Sequence, residues 1–220
     1  MKISTKYMTI NYTEKDREYM KYLLDYLQRN EIIIVNFFKL SNFGEKVEIT
    51  LHSNLDDFRK KYNEVYKRMP GDWVCGFAYN NKYIETLSLS EYRKTKSNEN
   101  VNIDNLCRLI IHEFIHSCHF KANSNSMYVR WLSEGLATTL SGQYDNIDNK
   151  FIFDATEEEM INGTTKYYNY YLMFKYIIDN YGKDYILYLI SNIEILNKET
   201  PKLYEEAKKY YKAKGRRSCN

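Results

Sequence analysis

Proline and glycine are scarce in this chain, with two prolines and eight glycines among 220 residues. That scarcity excludes collagen-like, proline-rich and flexible-linker architectures. Cysteine is sparse too. Cys75, Cys107, Cys118 and Cys219 have no framework spacing and no C-x-x-C pair, which argues against a disulfide scaffold or a cysteine zinc knot. Charge of one sign is also lacking: 32 Lys and Arg stand against 29 Asp and Glu, a formal +3. So mild an excess does not by itself mark a nucleic-acid binder. No apolar run approaches the roughly 18 residues that cross a bilayer, and mean hydropathy is −0.64. No apolar stretch follows Met1-Lys2-Ile3-Ser4-Thr5-Lys6-Tyr7. A secretory signal is therefore not visible, and a cytoplasmic protein with reduced thiols is expected.

What is present is a globular composition, 44% hydrophobic and 28% charged. A chain of this length buries about 70% of its unfolded surface, enough for one domain or two tightly joined lobes. Tyr19, Leu23, Tyr26 and Leu27 recur at helical spacing and predict a helix over Thr13 to Arg29. Ile32-Ile33-Ile34-Val35 reads as a buried strand, and Val47, Ile49 and Leu51 alternate as a second strand over Lys46 to Leu51. Asn54 opens a helix through Tyr66, with Asp56 and Asp57 at its positive end. Pro70-Gly71-Asp72 is a turn. Trp73 to Tyr79 and Tyr83 to Leu89 read as strands joined by an Asn80-Asn81 hairpin turn. Lys94 to Asn100 reads as a loop. From Asp104 the chain is mainly helical, with a loop near Lys121 to Ser126 and an irregular stretch or hairpin over Gln143 to Phe153. The expected class is α+β: a mixed-sheet upper lobe over residues 1–120, then a helical lower lobe over 121–220. Lys202 to Arg217 carries seven Lys and Arg against two Glu, a net of +5, which reads as a solvated, fraying helix.

One motif carries chemistry. His112-Glu113-Phe114-Ile115-His116 is H-E-x-x-H. Residues four apart share a helix face, about 5–6 Å apart. Two imidazoles so placed both reach a zinc ion, and Glu113 beside them serves as general base toward a water. Cys107, Ile111, Phe114, Ile115 and Cys118 form an apolar stripe on the same helix. Chance yields the pattern about 0.006 times in a chain with four histidines, so coincidence is a poor explanation. A third ligand is needed. His119 lies about 10 Å from His112 along the helix axis, overshoots the metal, and reads as a surface residue or a support behind the ligands. Residue 122 is Ala122, so the metzincin third histidine is absent. Glu134 remains, a carboxylate in the apolar stretch Trp131-Leu132-Ser133-Glu134-Gly135-Leu136-Ala137.

H-E-F-I-H followed by W-L-S-E-G-L-A resembles the gluzincin metallopeptidases, above all their M1-like and small peptidase MA-like branches. The resemblance implies a gluzincin catalytic domain with one Zn²⁺ bound by His112, His116 and Glu134. Glu113 is then the general base for hydrolysis of a peptide bond by activated water. The likeness extends over Tyr167-Tyr168-Asn169-Tyr170-Tyr171 to Tyr181-Gly182, and implies Tyr167 as oxyanion donor, with Tyr168 as its rival. The upstream G-x-M-E-N stretch of M1 aminopeptidases has only Gly76-Phe77-Ala78-Tyr79-Asn80 here, without the glutamate. Nothing in the sequence selects Glu85 or Glu91 to replace it. Endopeptidase action on an extended peptide or protein is therefore expected, with the substrate pairing to the strand around Tyr83 to Leu89 or Trp73 to Tyr79. A latent or regulatory module without turnover is the alternative, against which the intact Glu113 stands. No nucleic-acid partner and no membrane span are expected.

Overall fold

The computed structural model describes residues 1–96, 98–145 and 152–217. It is mixed α/β and falls into two compact units, Met1–Cys118 and His119–Asn220.

The first unit is built on a five-stranded sheet of order β1-β2-β3-β5-β4. The strands are β1 (Lys2–Ser4), β2 (Met8–Asn11), β3 (Val47–His52), β4 (Gly76–Tyr79) and β5 (Tyr83–Leu87). β1 and β4 run antiparallel to their neighbours, while β2, β3 and β5 are mutually parallel. β3 shows the expected alternation: Val47, Ile49 and Leu51 are buried, and Glu48, Thr50 and His52 are only partly so. The β4–β5 hairpin turns at Asn80 and Asn81, both at positive φ (52° and 49°), as in a primed turn, with Lys82 as a third residue before Tyr83 pairs with Tyr79. Trp73 lies outside β4. It sits within a turn closed by Val74 N–H donating to the Gly71 carbonyl at 3.0 Å, and it is 66% exposed. β5 stops at Leu87, and Leu89 begins the short helix α3 (Leu89–Tyr92) instead.

α1 (Arg17–Phe37), preceded by a 3-10 turn over Glu14–Asp16, overturns one expectation. Ile32 to Val35 is the last part of this helix and not a strand. Ile32 and Ile33 are 47% and 63% exposed, whereas Leu23, Leu27 and Ile34 are buried on one helical face. A short apolar run has no period of its own, and the stripe begun by Leu23 and Leu27 carries the helix through it. Glu31, on the same helix, is buried and accepts from Lys6 N–H at 3.0 Å, Tyr7 N–H at 3.1 Å and the Thr5 hydroxyl. α2 (Leu55–Tyr66) begins as expected, with the Asn54 side chain accepting from the Asp56 and Asp57 amides. Its Phe58 and Tyr62 pack on Phe77 and Leu87 of the sheet, together with Leu109.

α4 (Ile103–Ala122) opens on a reciprocal pair: Asn102 N–H donates to Asn105 Oδ1 at 2.9 Å, and Asn105 N–H to Asn102 Oδ1 at 3.1 Å. Two orphan amides of the first turn are satisfied in this way. Within the first unit, Leu109 joins the α2–sheet cluster and Phe114 meets Phe43 at 5.7 Å between ring centroids.

The second unit is helical: α5 (Arg130–Leu140), α6 (Glu157–Asn162), α7 (Tyr167–Ser191) and α8 (Ile193–Arg217), with a 3-10 turn over Ser124–Tyr128 where a loop was expected. α7 breaks at Gly182 (φ 79°, ψ 173°), a conformation natural only to glycine. α5 and α7 approach closely at Gly135. A Cβ there would stand 2.6 Å from both the Tyr170 carbonyl oxygen and Phe174 Cβ. The basic C-terminal segment is helical, as part of α8. Of the stretch Gln143 to Phe153, residues 146–151 lie outside the described residues, as does Cys219. The other three cysteines are buried free thiols.

Candidate metal centre

α4 carries the first two functional side chains. Cys107, Ile111, Phe114, Ile115 and Cys118 are buried, as the apolar stripe predicts. His112 and Glu113 are also largely buried, at 6% and 7% exposure, and His116 is half-buried. Nε2 of His112 and Nε2 of His116 face each other at 3.1 Å, with the rings near perpendicular at 84°. Two nitrogens each about 2.0–2.1 Å from one tetrahedral metal stand roughly 3.3 Å apart. The pair thus has nearly the separation that a shared ion imposes.

Glu134 lies in the second turn of α5, flanked by buried Trp131, Leu132, Ser133, Gly135, Leu136 and Ala137. Trp131 anchors this turn by donating Nε1–H to the Thr200 hydroxyl at 3.2 Å. Gly135 lets α5 sit against the α7 backbone, which fixes where its neighbour Glu134 projects. One ligand atom each from His112, His116 and Glu134 lie within 4.8 Å of one another, so this group fits a metal ion. Two imidazole nitrogens and one carboxylate oxygen are a donor set suited to a divalent transition-metal ion.

His119 is not a surface residue. It is fully buried, and its Nε2 lies 2.8 Å from the Ser126 hydroxyl. Ser126 gives its proton to the Asn123 carbonyl at 2.9 Å, so it accepts from His119. That makes His119 Nε2 a donor, committed to bracing the turn after α4.

Tyr167 is the first residue of α7 and half-buried. Its hydroxyl accepts from Arg130 Nη2 at 3.4 Å, and the guanidinium lies 5.8 Å from its ring centroid. Tyr168 is engaged elsewhere, donating to Asp154 at 2.7 Å and accepting from Lys166 at 3.1 Å. Two tyrosines that the motif does not single out also feel Glu134. Burial raises the phenols of Tyr144 and Tyr170 above the usual range, and the Glu134 charge adds to the rise. Near Glu113 the corresponding residue is Tyr66, pushed up to about 12 by burial and then by the Glu113 charge. Its hydroxyl donates to the Ala78 carbonyl on β4 at 2.8 Å. No local pattern marks these three, because their neighbours are distant in sequence.

The two carboxylates considered in place of the aminopeptidase glutamate are both engaged. Glu85 bonds His52 Nε2 at 2.7 Å and the Tyr79 hydroxyl at 3.0 Å, and Glu91 accepts from Lys94 at 2.6 Å. Among the described residues, no helix is long and apolar enough to cross a membrane. Comparison with known proteins returns no matching family model, no matching curated protein and no matching solved structure.

Proposed function

We propose that this chain is a zinc-dependent peptidase, an endopeptidase with a gluzincin catalytic arrangement that hydrolyses extended peptides. The observation that carries the reading is the convergence of His112, His116 and Glu134 within 4.8 Å, with Glu113 one residue from the first ligand. A zinc ion held by these three residues would supply a Lewis acid for the scissile carbonyl and would make a water acidic enough to react near neutral pH. Glu113 takes the proton of the attacking water and delivers it to the leaving amine nitrogen. Tyr167 donates its phenolic proton to the oxygen on which negative charge develops.

The substrate backbone adds to β4. β5 lies between β3 and β4 and has no free side, whereas β4 is paired on one side only. Leu87 N–H bonds the Cys75 carbonyl, so in this register Gly76 and Ala78 turn their amides and carbonyls outward. Tyr66 already occupies the Ala78 carbonyl, which leaves Gly76 and the Ala78 amide for a peptide. Gly76 abuts Leu109 on α4, one turn before His112.

The test is digestion of an unstructured protein by the zinc-loaded chain, with cleavage sites read by mass spectrometry. Cleavage abolished by chelator and restored by zinc is expected, as is zinc-replete Glu113→Gln that cleaves nothing. A zinc-loaded wild type that cuts no sequence in a broad peptide library sinks the reading in favour of a binding module. Wild-type turnover by Glu113→Gln sinks the mechanism.

A further inference from the structure

Arg130 is the first residue of α5, four positions before Glu134. Residues four apart lie on one helix face, about 6 Å along the axis. A cation in a first turn opposes the helix dipole, and no acidic residue stands in that turn to offset it. The dipole therefore does not account for this arginine, and the opposite charge that acts on it along the helix is Glu134, itself a candidate metal ligand. Two contacts hold it in place. Its stem runs over Gly163, where a Cβ would approach Arg130 Cδ to 2.8 Å, and its guanidinium stands over the Tyr167 ring. A guanidinium carries five N–H donors. Among the described residues, Arg130 gives one of them to the Tyr167 hydroxyl and forms no ion pair, and the side chain is exposed to solvent. The result is a planar fork with its orientation set and most of its donors unspent; the Glu134 charge acts on it from one turn away, but among the described residues no carboxylate stands at ion-pair distance.

We propose that Arg130 reads a carboxylate on the peptide substrate, and so makes acidity next to the scissile bond the specificity of this chain. The proposal rests on the peptidase reading for the identity of the ligand. A guanidinium matches a carboxylate with two parallel charge-assisted hydrogen bonds. One helical turn from Glu134 corresponds to one or two residues of an extended chain, at about 3.3–3.6 Å per residue. The recognised group therefore belongs to a residue one or two positions from the cleaved bond. It is an Asp or Glu side chain, or the α-carboxylate of a chain ending there.

The test uses the full chain as zinc-loaded Glu113→Gln, which removes the proposed base and lets peptide binding be read without turnover. Fluorescence anisotropy compares two pairs of peptides. One pair, capped at both ends, differs only in Glu against Gln at a central position. The other differs only in a free or amidated C-terminus. The expected result is tighter binding, by about tenfold or more, of the carboxylate member in at least one pair. The pair that shows it identifies the source as side chain or chain end. Adding Arg130→Gln should abolish the difference within the pair. Arg130→Lys, which keeps the charge and loses the fork, should retain only part of it. Equal affinities within both pairs overturn the proposal, as does a preference that survives Arg130→Gln in a protein whose melting curve is unchanged. If the preference is present but the wild-type chain hydrolyses none of the four peptides and no library peptide, the peptidase reading falls and the carboxylate receptor stands.

Discussion

Glu31 shows what one buried side chain does for the first unit. At 1% exposure its carboxyl gathers two amides and a hydroxyl from the turn between β1 and β2. Removing it leaves the Lys6 and Tyr7 amides and the buried Thr5 hydroxyl without this acceptor, and a buried group so orphaned costs about 1–3 kcal/mol. Glu31→Ala is expected to lose about 2–5 kcal/mol of unfolding free energy, read from urea denaturation. Glu31→Gln, which keeps one acceptor oxygen, should lose less. A change below 1 kcal/mol in the alanine variant would mean that water reaches the turn. At the candidate centre the same reasoning sorts the histidines. His112 and His116 turn their Nε2 atoms toward each other, while His119 spends its Nε2 on Ser126. Sequence spacing alone separates the first pair, because i and i+4 share a face. It does not show that His119 is buried, since Ser126 reaches it only after the chain turns at Asn123.

Among the elements, α5 depends on Gly135 more than its ordinary helical geometry suggests. A methyl group there would press on the Tyr170 carbonyl and Phe174 Cβ, both at 2.6 Å. Backbone cannot yield as a flexible side chain does, so α5 must move away from α7. Overpacking of this kind costs about 1–3 kcal/mol, and a displaced α5 carries Glu134 with it. Gly135→Ala is expected to lower both the unfolding free energy and zinc affinity. Calorimetric titration with zinc checks the second effect, and unchanged affinity would mean that Glu134 does not depend on the α5–α7 contact. α1 teaches the opposite lesson. Four consecutive β-branched residues, Ile32 to Val35, favour a strand locally. They form helix because Leu23 and Leu27 have already set the buried face, and Ile34 continues it.

For the molecule as a whole, bound metal acts on stability by mass action. An ion held by the native chain and much less by the unfolded one adds about 2.7 kcal/mol when free zinc is a hundredfold above its dissociation constant. Zinc is therefore expected to raise the melting temperature of the wild type, and chelator to reverse the rise. His116→Ala and Glu134→Ala should show little of it. A melting temperature indifferent to zinc in wild-type protein would reject these residues as ligands. The sequence by itself determined the local facts: the H-E-x-x-H helix, the Asn54 cap, the alternation of β3, the hairpin at Asn80-Asn81 and Glu134 as candidate third ligand. All but the last depend on residues within a few positions of one another, where helical or strand period and turn chemistry suffice; Glu134, eighteen residues beyond His116, followed from the need for a third ligand and a carboxylate in an apolar stretch. Tertiary structure alone decided that Ile32 to Val35 is helix, that β4 rather than β5 has the free edge, that His119 is buried, and that Arg130 stands over Tyr167. Those outcomes depend on which distant segments meet, and packing, not local preference, chooses among the conformations that a short stretch of sequence allows.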